Sequence, residues 1–209
     1  MSEQNIKLVQ VSGPTLSIIS TAEAKNYLKL SSDTTDDDLV QILIKAATAI
    51  VEREAGGLAI CEQSFKQYQQ GGCDLIELNR QPVLSVSTVS YYEDFDSTIE
   101  VLVEGTDYRV FDNELYHADD YFDEGRAGDG YTIEFTAGMF TASTYTSSTR
   151  QELQSMKTII LRIVAYLYEN REEFLVNVSE GTWKAVYDMQ LPMGIKYLIM
   201  PFHTAKGLI

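Results

Sequence analysis

"DDDLVQILIKAATAIVEREAGG", residues 36–57, is the stretch whose reading decides the fold. Leu39, Ile42, Leu43, Ala46, Ala47, Ile50 and Val51 recur at spacings of three and four, the stripe of an amphipathic helix. Acids at positions 36–38 complement the free N–H groups and positive end of a helix start. Gly56-Gly57 supplies the stop. Beyond Gly57 the period changes. Residues 64–69 alternate loosely through Phe65 and Tyr68, and 73–78 more clearly through Leu75, Ile76 and Leu78. Residues 83–92 are rich in Val, Ser, Thr and Tyr, which suit a pleated surface. Residues 99–103, 108–111 and 131–135 read as further strands, separated by Asp- and Gly-bearing turn chemistry. Residues 58–137 therefore read as a small antiparallel sheet following a helix.

Working outward, Ser20-Thr21-Ala22-Glu23 is a capping box that opens a short helix with Ala24, Tyr27 and Leu28 on one face. Residues 1–19 read as an extended arm. After a Ser/Thr-rich link, Thr149-Arg150-Gln151-Glu152 forms a second capping box. A long helix then runs to about Phe174. Leu153, Met156, Ile159, Ile160, Ile163, Val164, Leu167 and Tyr168 share its apolar face. Residues 176–209 are less regular, with a short helix expected over 193–200. The expected architecture is α+β: a bundle of three main helices (20–57 and 149–175), an inserted antiparallel β subdomain (58–148) and an extended C-terminal tail (176–209).

The chain has 209 residues, 44% hydrophobic and 22% charged, enough for one core-bearing domain with or without a smaller insert. Its net charge is −15, from 16 basic and 31 acidic residues. That argues against a basic groove gripping phosphates and against a polybasic membrane binder. The charge is local. Residues 91–134 hold fourteen acids against Arg109 and Arg126, a net −12, whereas residues 150–209 hold seven basic and six acidic residues. No run of eighteen apolar residues marks a membrane span, and the polar first ten residues show no signal peptide, so synthesis in a cytoplasm is expected. Cys61 and Cys73 form no C-x-x-C and have no His at ligand spacing, which points to small packed thiols rather than a zinc site.

Candidate chemistry is sparse. An EF-hand frame starting at Asp120 puts Phe122 at the third position and Tyr131 at the twelfth, where calcium requires oxygen ligands, so a solvated acidic loop is the better reading. There are two histidines, His117 and His203, and no nucleophile elbow, phosphate loop, dinucleotide fingerprint or H-E-x-x-H. Nothing singles out a catalytic carboxylate pair. The aromatics Trp183, Tyr187, Tyr197 and Phe202, past the last strong helix, are either interface anchors or residues folded back on the core.

The ordered set of segments resembles the phage head–tail connector (adaptor) family. The carriers are "SIISTAEAKNYLKLSSDTTDDDLVQILIKAATAIVEREAGG" (17–57), "LNRQPVLSVSTVSYY" (78–92), "GTDYRVFDNELY" (105–116), "YTIEFTAG" (131–138), "RQELQSMKTIILRIVAYLYENREEF" (150–174) and "LPMGIKYLIMPF" (191–202). Just after the last, His203 follows the aromatic where the family often has Arg. The likeness spans about residues 17–203, and shorter all-helical members make the acidic sheet an insert between the second and third helices. The resemblance implies a structural, non-enzymatic virion protein with no cofactor, located in the neck. It implies a homo-oligomeric ring of about a dozen copies beneath the portal protein. Such a ring meets a head-closure (stopper) or tail-terminator protein, and DNA passes through it without being read.

On that reading Trp183, Tyr187, Ile195, Tyr197, Leu198, Phe202 and His203 dock the portal. Leu39, Ile42, Leu43, Ile50, Ile159, Ile163, Tyr166 and Tyr168 form the helix core or subunit contacts. Asp94, Asp96, Asp119, Asp120, Asp123 and Glu124 line an acidic lumen or rim. The alternatives are another tail or capsid accessory protein, or a carboxylate-based hydrolase.

Overall fold

The computed structural model describes residues 6–14, 16–30, 34–93, 98–119, 121–125, 130–146, 151–170 and 191–203. The chain divides into two compact units, one of Met1–Leu16 and Leu58–Ala142, the other of Ser17–Gly57 and Ser143–Ile209. The class is the α+β expected, with one refinement: the single small sheet is two antiparallel sheets.

The β unit is built from eight strands: β1 (Lys7–Ser12), β2 (Gln63–Gln69), β3 (Leu75–Glu77), β4 (Val83–Tyr91), β5 (Glu100–Leu102), β6 (Tyr108–Phe111), β7 (Glu114–His117) and β8 (Tyr131–Ala137). A five-stranded sheet has the order β1-β2-β8-β4-β5, and a three-stranded sheet the order β3-β7-β6. All pairings between strands are antiparallel. The N-terminal segment read as an arm thus contributes β1, which pairs with β2 from Lys7 opposite Tyr68 to Ser12 opposite Ser64. The two sheets share one core. Phe65, Val89, Ile133 and Phe135 from the larger sheet pack with Ile76, Leu78, Tyr108, Leu115 and Phe122. Both β8 and β2 are inner strands, so their inward faces are fully covered.

That core is not wholly apolar. Gln63, Phe65, Gln67 and Gln69 all sit on the inward face of β2 and are buried. Phe65 and Tyr68, three residues apart, consequently lie on opposite faces. The Gln67 carboxamide makes the burial tolerable. Its Nε2 donates to the Glu77 carbonyl at 2.7 Å and to Gln69 Oε1 at 2.6 Å, and its Oε1 accepts from the Asn79 N–H at 2.9 Å. A buried amide with both ends satisfied ties β2 to the far sheet at a fixed register. Asn113, in the β6–β7 turn region, adds a second tie: its Oδ1 accepts from the Val83 N–H at 3.0 Å, and its carbonyl from the Leu78 N–H at 2.9 Å. Gly138 is required where the chain leaves β8. A Cβ there would stand 2.5 Å from the Glu62 nitrogen.

The helical unit comprises α1 (Thr21–Leu28), α2 (Asp37–Glu54), α4 (Gln151–Glu169) and α5 (Met193–Ile199), with the short α3 (Ala142–Thr146) preceding α4. The capping box at Ser20 is present in full: Ser20 Oγ accepts from the Glu23 N–H at 3.2 Å, and Glu23 Oε2 accepts from the Ser20 N–H at 2.8 Å. Its counterpart at Thr149 lies outside the described residues. Helix α2 ends as its glycines require. The Gly57 N–H reaches the Glu52 carbonyl and the Gly56 N–H reaches Arg53, with both glycines at positive φ.

The stripes of α2 and α4 face each other, and α5 packs on both. Helix α4 buries Leu153, Met156, Ile159, Ile160, Ile163, Val164 and Leu167 as its period dictates, with Tyr168 half-buried at the margin. Helix α2 is rotated slightly from expectation. Val40, Leu43, Ile44, Ala47, Ile50 and Val51 are buried, while Leu39 is half-buried and Ile42 is 51% exposed. Helix α1 also differs from its expected face: Ala24 is buried and Leu28 half-buried, but Tyr27 is exposed and Lys25 is buried in its place. Lys25 Nζ reaches Asp37 Oδ1 at 2.7 Å, so the ammonium enters the packing only alongside an acid from the start of α2.

Candidate functional site

The acidic segment is organised by a single aromatic plug. Phe122 is wholly buried, edge-on to Tyr131 at 5.3 Å and to His117 at 5.1 Å. Its backbone bonds to Cys73 in both directions, at 2.8 and 3.4 Å. The third position of the failed calcium frame is thus a core anchor. Around it Asp119, Asp123 and Glu124 point to solvent. Asp94, Asp96 and Asp120 lie outside the described residues. The β unit as a whole carries eighteen acids against five basic residues, −13, and the helical unit thirteen against eleven, −2.

Tyrosines line the inner margin of this acidic region. Burial raises the Tyr131 phenol well above its usual range, and the neighbouring Tyr91 and Asp123 push the same way. Tyr91, 4.9 Å from Tyr131 ring to ring, is raised by burial and by Asp123, Glu93 and Glu100. Both stay neutral at physiological pH and act as packing, leaving the carboxylates as the charge-bearing groups. Cys61 is buried and Cys73 half-buried, and neither is in a disulfide.

A second surface is the C-terminal helix. Ile195 and Ile199 are buried against the bundle, Leu198, Phe202 and His203 are half-buried, and Tyr197 is 63% exposed. Met193, Tyr197 and Met200 stand at i, i+4 and i+7 on the outward side, all exposed. The helix thus carries apolar residues on its packed side and on its exposed side. His203 Nδ1 is buried without a hydrogen-bond partner among the described residues. Trp183 and Tyr187 lie outside them. Of the residues expected in the helix core or at subunit contacts, Leu43, Ile50, Ile159 and Ile163 are internal, Leu39, Tyr166 and Tyr168 half-buried, and Ile42 outward.

A third surface carried no flag in the sequence. On the outward face of the large sheet the registers align Lys7, Tyr68, Thr132, Ser90 and Val101 in one row. The next row runs Val9, Lys66, Glu134 and Thr88. Its middle is polar and self-satisfied. Lys66 Nζ pairs with Glu134 at 2.9 Å, which raises the Lys66 pKa, and Ser85 Oγ and Thr136 Oγ1 lie 2.8 Å apart. The two outermost strands are different: Val9 and Val11 at β1, and Ile99, Val101 and Val103 along β5, are exposed. The signal that could have revealed this is Leu102, between the two valines. It packs on the core and so turns its neighbours outward.

The class defined by these features is a helical bundle carrying an acidic two-sheet β unit. No protein-family model and no curated protein matches the sequence significantly. Solved structures with this fold do match. A chain from the neck of an empty GTA particle computed with C6 symmetry superposes with a TM-score of 0.69 at 19% identity, covering 95% of this chain and 96% of that one. A chain from the virion of a native gene transfer agent (GTA) particle gives 0.65 at 19% identity over 95% of both. One from the neck of a native GTA particle computed with C12 symmetry gives 0.65 at 18% identity over 95% and 96%. The likeness covers helices and sheets together and establishes a shared fold.

Proposed function

We propose that this chain is a structural neck protein of a phage-like particle, a connector of the head–tail adaptor type with no catalytic role. The observation that carries the reading is the end-to-end fold match to chains of particle necks, over at least 95% of both partners. It agrees with the resemblance of the ordered sequence segments to that family. In this role the chain forms a homo-oligomeric ring of about a dozen copies. Its upper partner is the portal protein, its lower one a head-closure or tail-terminator protein, and DNA passes through. The reconstruction of one matching neck with C12 symmetry supports a ring of that order.

The acidic β unit suits a passage for DNA. Exposed carboxylates such as Asp119, Asp123 and Glu124 repel phosphates, so a duplex slides rather than binds. Tyr197, with Leu198, Phe202 and His203 beside it and Trp183 and Tyr187 upstream in sequence, is assigned to portal docking. Ile195 supports that surface from inside the bundle rather than touching a partner.

The test is localisation and loss. Electron microscopy of the assembled particle should show this chain as a ring between portal and tail. Removing its gene should leave DNA-filled heads without tails. Particles that assemble tails normally without the chain overturn the proposal.

A further inference from the structure

We propose that neighbouring copies join by pairing the β5 edge of one five-stranded sheet with the β1 edge of the next, so that the sheets continue from subunit to subunit. The inference rests on the ring reading above and specifies its seam. Both β1 and β5 are terminal strands of the sheet, and among the described residues no strand pairs beyond either. An open edge is a template for another strand. β5 is only three residues long, and β1 carries Lys7 and a bulge between Gln10 and Ser12. The edges themselves are thus partly guarded, and it is their exposed apolar residues that argue for a partner.

The outward residues argue for this partner. Among the described residues the exposed apolar β-branched side chains of this sheet stand at its two ends; on the inner strands the exposed large apolar residue is Leu84 of β4. Val101 is 59% and Val11 62% exposed, with Ile99, Val103 and Val9 beside them. These rows lie at opposite sides of one subunit. They become adjacent when β5 of one copy meets β1 of another, forming the cross-strand β-branched contacts that stabilise sheets.

Charge selects the same pairing. β1 carries Lys7, and no acid lies between Glu3 and Glu23. β5 carries Glu100, with Glu93 and Glu104 close by in sequence. Two β5 edges would bring these carboxylates together, whereas β5 against β1 sets an acidic segment beside one that carries Lys7. Glu100 turns to the inner face with Leu102 and Lys7 to the outer face with Val101, so the complementarity is between segments and not a direct pair. A contact between two different edges is heterologous, so it propagates from copy to copy rather than stopping at a dimer, and it forms a ring where the rotation closes. Four antiparallel steps separate β1 from β5, so the two strands run in the same direction. Copies related by rotation about an axis along the strands would therefore pair them in parallel.

The test is a cysteine scan in full-length chain assembled in particles. In a chain whose own thiols are removed (Cys61→Ala, Cys73→Ser), Val9→Cys or Val11→Cys is combined with Ile99→Cys, Val101→Cys or Val103→Cys, and particles are treated with an oxidant. Opposed residues in paired strands bring Cβ atoms to about 4.5–5.5 Å, within reach of disulfide formation with small adjustment. The expected result is a ladder of covalent multimers in at least one pair, absent from each single variant. Dimers from a single-cysteine variant would mean like edges meet, and would overturn the proposal. No ladder from any pair, with the chain still visible as a ring in the neck, overturns the seam but leaves the ring. A chain absent from the neck removes both. A second variant, Val101→Lys, places a charge on an exposed edge and should keep the monomer's circular dichroism. It should cut incorporation into particles more than tenfold, and undiminished incorporation would count against the seam.

Discussion

The two units of this chain solve the burial problem by different means. The helical unit buries aliphatic side chains at helical spacing: Leu43, Ile50, Ile160, Val164 and their neighbours. It is nearly neutral, and apart from the pair of buried Lys25 with Asp37 its side-chain ion pairs are at its rim. The β unit carries almost the whole net charge and buries aromatics together with three glutamines. The outer face of its large sheet is polar in the middle, Leu84 apart, and apolar at its edges. The difference teaches that strand register, unlike helix packing, is held here by directional bonds. A helix stripe tolerates rotation by a residue, as α2 shows, but a strand shifted by one residue exchanges its two faces. Gln67, bonded to the backbone on both sides of Leu78, fixes that choice.

The contrast can be broken or sharpened by experiment. The largest effect is expected from Phe135→Ala in the middle of β8, which removes a fully buried ring and its contact with Phe65 at 5.7 Å. A loss of about 3–5 kcal/mol is expected from the cavity. Amide hydrogen exchange should localise it to the β strands, with α4 protected as before. Equal loss of protection in α4 would mean that the units unfold as one. Next is Gln67→Ala, which strands the Glu77 carbonyl and the Asn79 N–H, at a cost of about 2–3 kcal/mol. Chemical denaturation measures it. A neutral result would show that register is held by apolar packing alone, as in the helical unit.

The smallest effect belongs to the helical unit's rim. Burial would raise the Glu23 pKa, but the hydrogen bond from Lys157 at 2.8 Å and those from Ser20 outweigh it and hold the carboxyl below its ordinary range. The unfolded state then binds the proton first as pH falls. Stability from this group is complete above the ordinary carboxylate pKa and is lost as pH drops through the lowered folded value. Glu23 is largely exposed, so the slope is shallow. Glu23→Gln should flatten the fall in thermal midpoint between pH 5 and pH 3 (an ordinary carboxylate window). An unchanged profile would assign the acid sensitivity elsewhere.

The helix starts and stops were legible because they are local chemistry. Ser20 and Glu23 bond to each other's backbone within one turn, and Gly56 and Gly57 adopt positive φ wherever the chain turns out of α2. The long stripe of α4 was legible because its apolar residues leave only one face to bury. In α2 the apolar residues at 39, 40, 42, 43, 44, 46 and 47 nearly encircle the helix, so period alone could not tell Ile42 from Ile44. Tyr27 and Lys25 exchanged expected places because the buried ammonium depends on Asp37, twelve residues away. The β1 strand was read as an arm because its partner, β2, lies more than fifty residues on. Of the surfaces, the acidic loop was visible as composition, and the aromatic tail as a cluster past the last helix. The apolar sheet edges were not, since an Ile-x-Val-x-Val alternation reads the same whether it points inward or outward.

By itself, then, the sequence determined what depends on neighbours within a turn or two: the helix boundaries, the strand-prone segments, the concentration of charge in one region and the α+β class. Tertiary structure alone decided which strands pair, that they form two sheets, which way each alternating face turns, and which edges stay open. Those choices rest on contacts between residues distant in the chain. A strand's period of two specifies that its faces differ, and only the partners that close over it specify which face is inside.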